Sequence, residues 1–178
     1  MRILRLVVVA FVATTIATNP ATAQHGHQRD IDRANDAVRE FKHHDEGLTE
    51  WFANSAGYAV FPNVGKGGIG IGGAHGTGVL FVEGQPVGAT ELIQVTIGLQ
   101  FGGQAFREVI FFEDDIALDN FQKGNFELSA QASAVAVTLG ASADAGYDKG
   151  VAIFTMTKGG LMYQAAIGGQ KFDYDAWQ

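Results

Sequence analysis

The sequence predicts an α+β fold: an N-terminal helical pair packed on a strongly curled, mainly antiparallel, glycine-rich β-sheet or partial barrel, with one short inserted helix. Three observations lead there. Apolar residues recur at helical spacing from Gln28 to about Ala53, they alternate with period two from Tyr58 onward, and a single stretch after Phe112 carries both a helix start and a helix stop. Helices first and a run of about seven strands afterwards is an α+β order of elements.

The first helical stripe is Ile31, Ala34, Val38 and Phe41, with Asp30 placed to cap it. Asp45-Glu46-Gly47 breaks the pattern. Leu48, Trp51 and Phe52 resume it in a second helix that Gly57 is expected to stop. In the strands, Ile93, Val95, Ile97, Leu99 and Phe101 share one face, with Leu92, Gln94, Thr96, Gly98 and Gln100 on the other. Arg107 to Phe112 reads as a further strand. Asp114 or Asp115 then caps a short helix that buries Leu118 and Phe121 and ends at Gly124. Phe126 to Gly146 is expected as one long strand or a bent pair, with a shallow face of Ala130, Ala132, Ala134 and Ala136. Val151–Thr157 and Leu161–Ile167 should form a hairpin around Lys158-Gly159-Gly160.

Eight of the 24 glycines lie between Gly65 and Gly78, and they match G-x-G-x-x-G twice. A dinucleotide loop needs a helix directly after its glycines, with amides facing pyrophosphate. Here the chain continues as Val79-Leu80-Phe81-Val82 and no Lys-Ser or Lys-Thr closes a P-loop, so the stretch reads as a glycine-lined β-ribbon and no cofactor is expected.

The chain has 178 residues, 47% of them hydrophobic, and a formal charge of −7. Arg2 and Arg5, an apolar run from Ile3 to Ala17, and Ala21-Thr22-Ala23 have the layout of a secretory signal peptide over residues 1–23, leaving residues 24–178 as one domain. The expected destination is the periplasm or the exterior after cleavage near Ala23. Loss of the two arginines leaves the rest more acidic still, with no long-range attraction for nucleic acid or anionic membranes, so any such binding must come from a local patch. The absence of cysteine excludes thiolate metal sites and cysteine nucleophiles. His25 and His27 read as a solvated tail, His43 and His44 point to different sides of a helix, and His75 stands alone, so no metal site is expected. Glu113, Asp114 and Asp115 are explained by helix capping and the helix dipole. No nucleophile with a base emerges, and the chain is read as a non-enzyme.

A string of words runs from Gly57 to Phe172: Gly57-Tyr58-Ala59-Val60-Phe61-Pro62, Gly65-Lys66-Gly67-Gly68, and Gly103-Gln104-Ala105-Phe106-Arg107-Glu108-Val109-Ile110-Phe111-Phe112. Gly124-Asn125-Phe126-Glu127, Ala130-Gln131-Ala132-Ser133, Gly150-Val151-Ala152, Lys158-Gly159-Gly160-Leu161 and Ile167-Gly168-Gly169 follow. In this order they resemble the SYLF domain, the lipid-binding or actin-associated domain of yeast endocytic proteins, also found in exported bacterial proteins. The resemblance implies a non-enzymatic module that binds phospholipid. In eukaryotic relatives it implies a preference for phosphoinositides, read by a basic amphipathic N-terminal helix, and actin binding. An exported member would meet neither actin nor much phosphoinositide, which leaves an anionic phospholipid membrane surface as the expected partner. Carried onto this chain, the headgroup contacts are Arg33, Arg39 and Lys42 on the first helix, with Lys66 in the glycine ribbon. The first helix itself mixes these cations with Asp30, Asp32, Asp36, Glu40, Asp45 and Glu46. Two alternatives stand beside this reading: a protein-interaction or self-assembly module using the glycine-rich sheet edge, and a pocket-based enzyme or cofactor binder.

Overall fold

The computed structural model describes residues 20–69, 71–97, 103–124, 126–128, 134–158 and 169–177. Helix α1 spans Pro20–His44 and α2 spans Leu48–Asn54. Strands β1 (Gly57–Ile69), β2 (Ile71–Val82), β3 (Gln85–Ile97) and β4 (Gly103–Phe112) follow. Helix α3 is Asp115–Gln122; β5 (Val135–Ala136), a 3₁₀ turn at Ala141–Asp144, β6 (Val151–Thr157) and β7 (Gln170–Ala176) complete the described chain. The seven strands form one open sheet in the order β5-β6-β4-β1-β2-β3-β7, antiparallel throughout except for the short parallel β5–β6 pair.

Alternation along the strands divides the core in two. Tyr58, Val60, Val79, Phe81, Val109, Phe111 and Phe154 face α1 and α2, where Ala34 and Ala37 bring the helix close and Phe41, Leu48 and Phe52 fill the layer. Ala59, Phe61, Leu80, Ile110, Phe112 and Phe172 face the other way, onto Ala117, Leu118 and Phe121 of α3. Phe61 and Val64 are three residues apart yet both belong to this second layer. A register shift between Phe61 and Val64 makes that possible, and it falls on Pro62 and Asn63. Proline has no amide to give to a ladder, so a bulge is where a strand accommodates it.

The glycine ribbon is the β1–β2 hairpin, with Gly67 opposite Gly73 and Gly68 opposite Gly72. The Asp114 carboxylate caps α3 by accepting from the Ala117 amide at 2.8 Å, and Gly124 ends it with a left-handed φ of +68°. Asp45-Glu46-Gly47 separates α1 from α2.

Four local expectations are corrected. Asp30 lies well inside α1, which begins ten residues earlier, so it caps nothing. His27 is helical and stacks on Trp177 with ring centroids 4.7 Å apart, instead of belonging to a solvated tail. Gly57 does not stop α2: the chain turns extended at Ser55, and Gly57 opens β1, where a Cβ would come within 2.9 Å of the Phe81 carbonyl. Phe126 to Gly146 is not one long strand. Its start pairs with β7 through Glu127 opposite Lys171, its later part pairs with β6 through Val135 and Ala136, and a 3₁₀ turn follows. Residues 129–133, including Ala130 and Ala132, and the strand expected at Leu161–Ile167 lie outside the described residues.

Candidate functional site

The bulge at Pro62 and Asn63 opens two adjoining hollows between α1 and the sheet. One, of about 410 Å³, is lined by Arg33, Asp36, Ala37, Glu40, Pro62, Asn63, Arg107 and Lys158. The other, of about 200 Å³, shares Arg33, Pro62 and Asn63 and runs along His75 to Val79 on β2. Three elements therefore bring cations to one groove. Arg33 precedes the buried Ala34 and flanks the seam of α1. Arg107 alternates with the buried Glu108 and so points to the helix side of β4. Lys158 directly follows β6.

The pairings here differ in strength. Arg107 donates to Glu40 at 2.8 Å, and Arg33 sits 3.7 Å from Asp30 with most of its side chain in water. Lys158 donates to the side-chain oxygen of Asn63 at 3.1 Å, a neutral acceptor. Exposed ion pairs contribute about 0–1 kcal/mol, so an incoming anion displaces little at Arg33 and Lys158, whereas Arg107, only 16% exposed, is held more firmly by Glu40. Asp36 and Glu40 line the same groove and set a limit on its positive field. Among the described residues no group of three or more His, Asp or Glu could hold a metal ion, and no helix is long and apolar enough to cross a membrane.

Of the four expected contacts, only Arg33 reaches the groove. Arg39 is 71% exposed on the outer side of α1 and pairs with Asp36 one turn back. Lys42 lies over the Phe52 ring, 5.0 Å from its centroid. Lys66 belongs to the opposite face of the sheet: it stands across from Ala74, which is buried in the α3-side layer, and partial burial lowers its ammonium pKa. No single basic face of α1 forms. Arg107, Lys158 and Asn63 were not singled out as contacts in the sequence. A lone arginine at a position alternating with apolar ones was the available signal for the first.

Residues 93–176, from the middle of β3 to the end of β7, match the family model Ysc84, described as "Las17-binding protein actin regulator". Over these residues the chain is similar to the Ysc84 family. The Ysc84 segment contains Arg107 and Lys158; α1 with Arg33, Arg39 and Lys42, and β1 with Lys66, precede it. The chain is also similar to Beta cell expansion factor A of Aeromonas veronii, at 34% identity over 74 residues, which is 42% of this chain. It spans 28% of the length of that relative.

Proposed function

We propose that this chain is a non-enzymatic, exported module that binds anionic phospholipid peripherally through the groove between α1 and the Pro62–Asn63 bulge. The convergence of Arg33, Arg107 and Lys158 from three separate elements carries the reading, because it occurs on a protein whose formal charge is −7. An acidic molecule that approaches an anionic surface must do so by a local patch. The likeness of the whole strand region to the SYLF domain supports a lipid surface as the partner, and the match over residues 93–176 is consistent with that likeness. The opening is shallow and mixed in charge, which suits a headgroup at a surface better than an enclosed substrate. The edge strands offer little free backbone among the described residues, β5 being two residues long and β7 pairing with Glu127, which favours a face over an edge as the contact.

The test is co-sedimentation of residues 24–178 with phosphatidylglycerol-containing and pure phosphatidylcholine vesicles across a salt series. Binding is expected only with the anionic lipid, falling as salt rises. Arg33→Glu/Lys158→Glu, shown to be folded by circular dichroism, should abolish it. Equal retention by both vesicle types, or by neither at low salt, would overturn the reading.

A further inference from the structure

We infer that the uncharged end of the sheet enters the membrane, with Ile93 and Val95 as the inserting side chains. This rests on the phospholipid reading above and deepens it by naming a second, apolar contact.

Ile93 and Val95 are 45% and 67% exposed, whereas Leu92 and Gln94 between and beside them are buried. Spaced by two on β3, they rise from one face, the face on which α1 also lies. Register places them in two rows. Ala105, Gly65, His75 and Ile93 stand side by side across β4, β1, β2 and β3, and Gly103, Gly67, Gly73 and Val95 form the next row. The two side chains project from a platform otherwise of alanine and glycine, except for His75, whose ring pairs with Glu91 at 2.7 Å on the border toward α1. Gly65 has nothing within 4 Å of where a Cβ would sit, so packing does not demand a glycine there.

The second observation is the placement of charge. No Asp, Glu, Lys, Arg or His occurs from Gly67 to Ala74 or from Leu92 to Phe106. Glu83, Glu113, Asp114, Asp115 and Asp148 all lie at the opposite end, where Gly57 pairs with both Val82 and Phe112. β-Branched residues suit any strand, but that preference does not explain a charge-free end. Charges of both signs border the platform on its α1 side: Lys158 beyond β6, Lys171 opposite Ile93 and 3.6 Å from Glu127, Glu91 beside His75, and Arg33 at the groove. Four strands by two rows is on the order of 200 Å², far below the ~800 Å² per partner of a stable protein interface. A bilayer needs no such area, since apolar side chains and headgroup contacts together hold an interfacial protein.

The chain has no cysteine, so single sites can be labelled cleanly. Val95→Cys and Ile93→Cys, each carrying an NBD fluorophore, are compared with labelled Asp119→Cys on α3, which packs on the other face. On phosphatidylglycerol vesicles, with the bound fraction measured separately by sedimentation, emission at 93 and 95 should shift to the blue and be quenched by nitroxide-labelled acyl chains. Emission at 119 should not change. Ile93→Ser/Val95→Ser should weaken binding roughly tenfold at high salt, where the charged contacts are screened. Protein that sediments with vesicles while both sites stay water-exposed would overturn insertion and leave headgroup binding intact. Absence of sedimentation would overturn both. Shielding of position 95 without vesicles, rising with protein concentration, would assign the face to a second copy and overturn the inference.

Discussion

Glu108 on β4 and Gln170 on β7 meet at 3.2 Å although three strands lie between theirs in the sheet. In a flat sheet four strand spacings would hold them about 19 Å apart. The sheet is therefore bent far enough for its interior face to touch itself, and the Gln170 amide donates to the Glu108 carboxyl across the concavity.

Glu108 is fully buried, and burial pushes its carboxyl up to about 8 against the lowering effect of Gln170. Unfolding returns it to near 4.5. The folded state thus holds the extra proton between those values, so stability from this group is full below about 4.5 and declines as pH rises to about 8. The slope is about 1.4 kcal/mol per pH unit. Urea unfolding of wild type and Glu108→Gln at pH 5, 7 and 9 should show the variant's advantage growing with pH. A constant difference across that range would contradict a neutral Glu108.

Asp45 behaves in the opposite sense. It is 2% exposed and accepts from the amides of Gly47 at 3.1 Å and Ser142 at 2.7 Å, tying the α1–α2 turn to the 3₁₀ segment. Burial alone would raise its carboxyl, but the hydrogen bonds from Ser142, Gly47 and Gly140 outweigh it and hold the group below its ordinary value. That stability is present above the unfolded pKa and lost as pH falls through the folded one. Asp45→Ala should destabilise by about 2–3 kcal/mol at pH 7, because the buried Ser142 amide and the part-buried bond from Gly47 lose a charged acceptor, and its deficit should shrink in acid. Thermal melts at pH 7 and pH 3 would measure both.

Glycines within the same ribbon are expected to respond differently. At Gly78 a Cβ would lie 2.5 Å from the Val60 carbonyl and 2.7 Å from the Phe61 ring. Gly78→Ala should cost about 1–3 kcal/mol or more, since backbone must move. Gly65→Ala meets nothing and should be neutral or stabilise by up to about 1 kcal/mol. Equal losses in denaturant midpoint would mean the ribbon's packing is misassigned.

Charge reversal on α1 separates the groove from the helix as a whole. Arg33→Glu should reduce binding to anionic vesicles at least tenfold, while Arg39→Glu, on the outward side, should leave it within about twofold. Equal losses from both would restore the basic-helix mode of contact in place of the groove.

Much of the fold was legible because its signals are local. The Asp114 cap, buried Leu118 and Phe121, the Gly124 stop and the Asp45-Glu46-Gly47 break each depend on a few neighbouring residues. Gly57 misled because a glycine after a helix suits a stop. Here it is needed where β1 comes close to the Phe81 carbonyl and Leu118. The stretch after Phe126 misled because alternating Ala, Ser, Val and Thr fits any strand, while its pairing is divided between β7 and β6. The candidate site was least legible: Arg33 is in the first helix, Asn63 at a bulge, Arg107 in β4 and Lys158 after β6, and no spacing rule links them.

By itself the sequence determined the α+β order of elements, the acidic net charge, the glycine ribbon and the charge-free stretches. Repeats of 3.6 and 2 follow from backbone geometry and need no distant partner. Only the tertiary structure decided that Leu92 and Gln94 turn inward while Ile93 and Val95 face out, that Glu108 reaches Gln170, and that Lys66 is parted from Arg33 by the thickness of the sheet. Those outcomes depend on how far the sheet bends and which face each helix covers, and both are set by contacts among residues far apart in the chain.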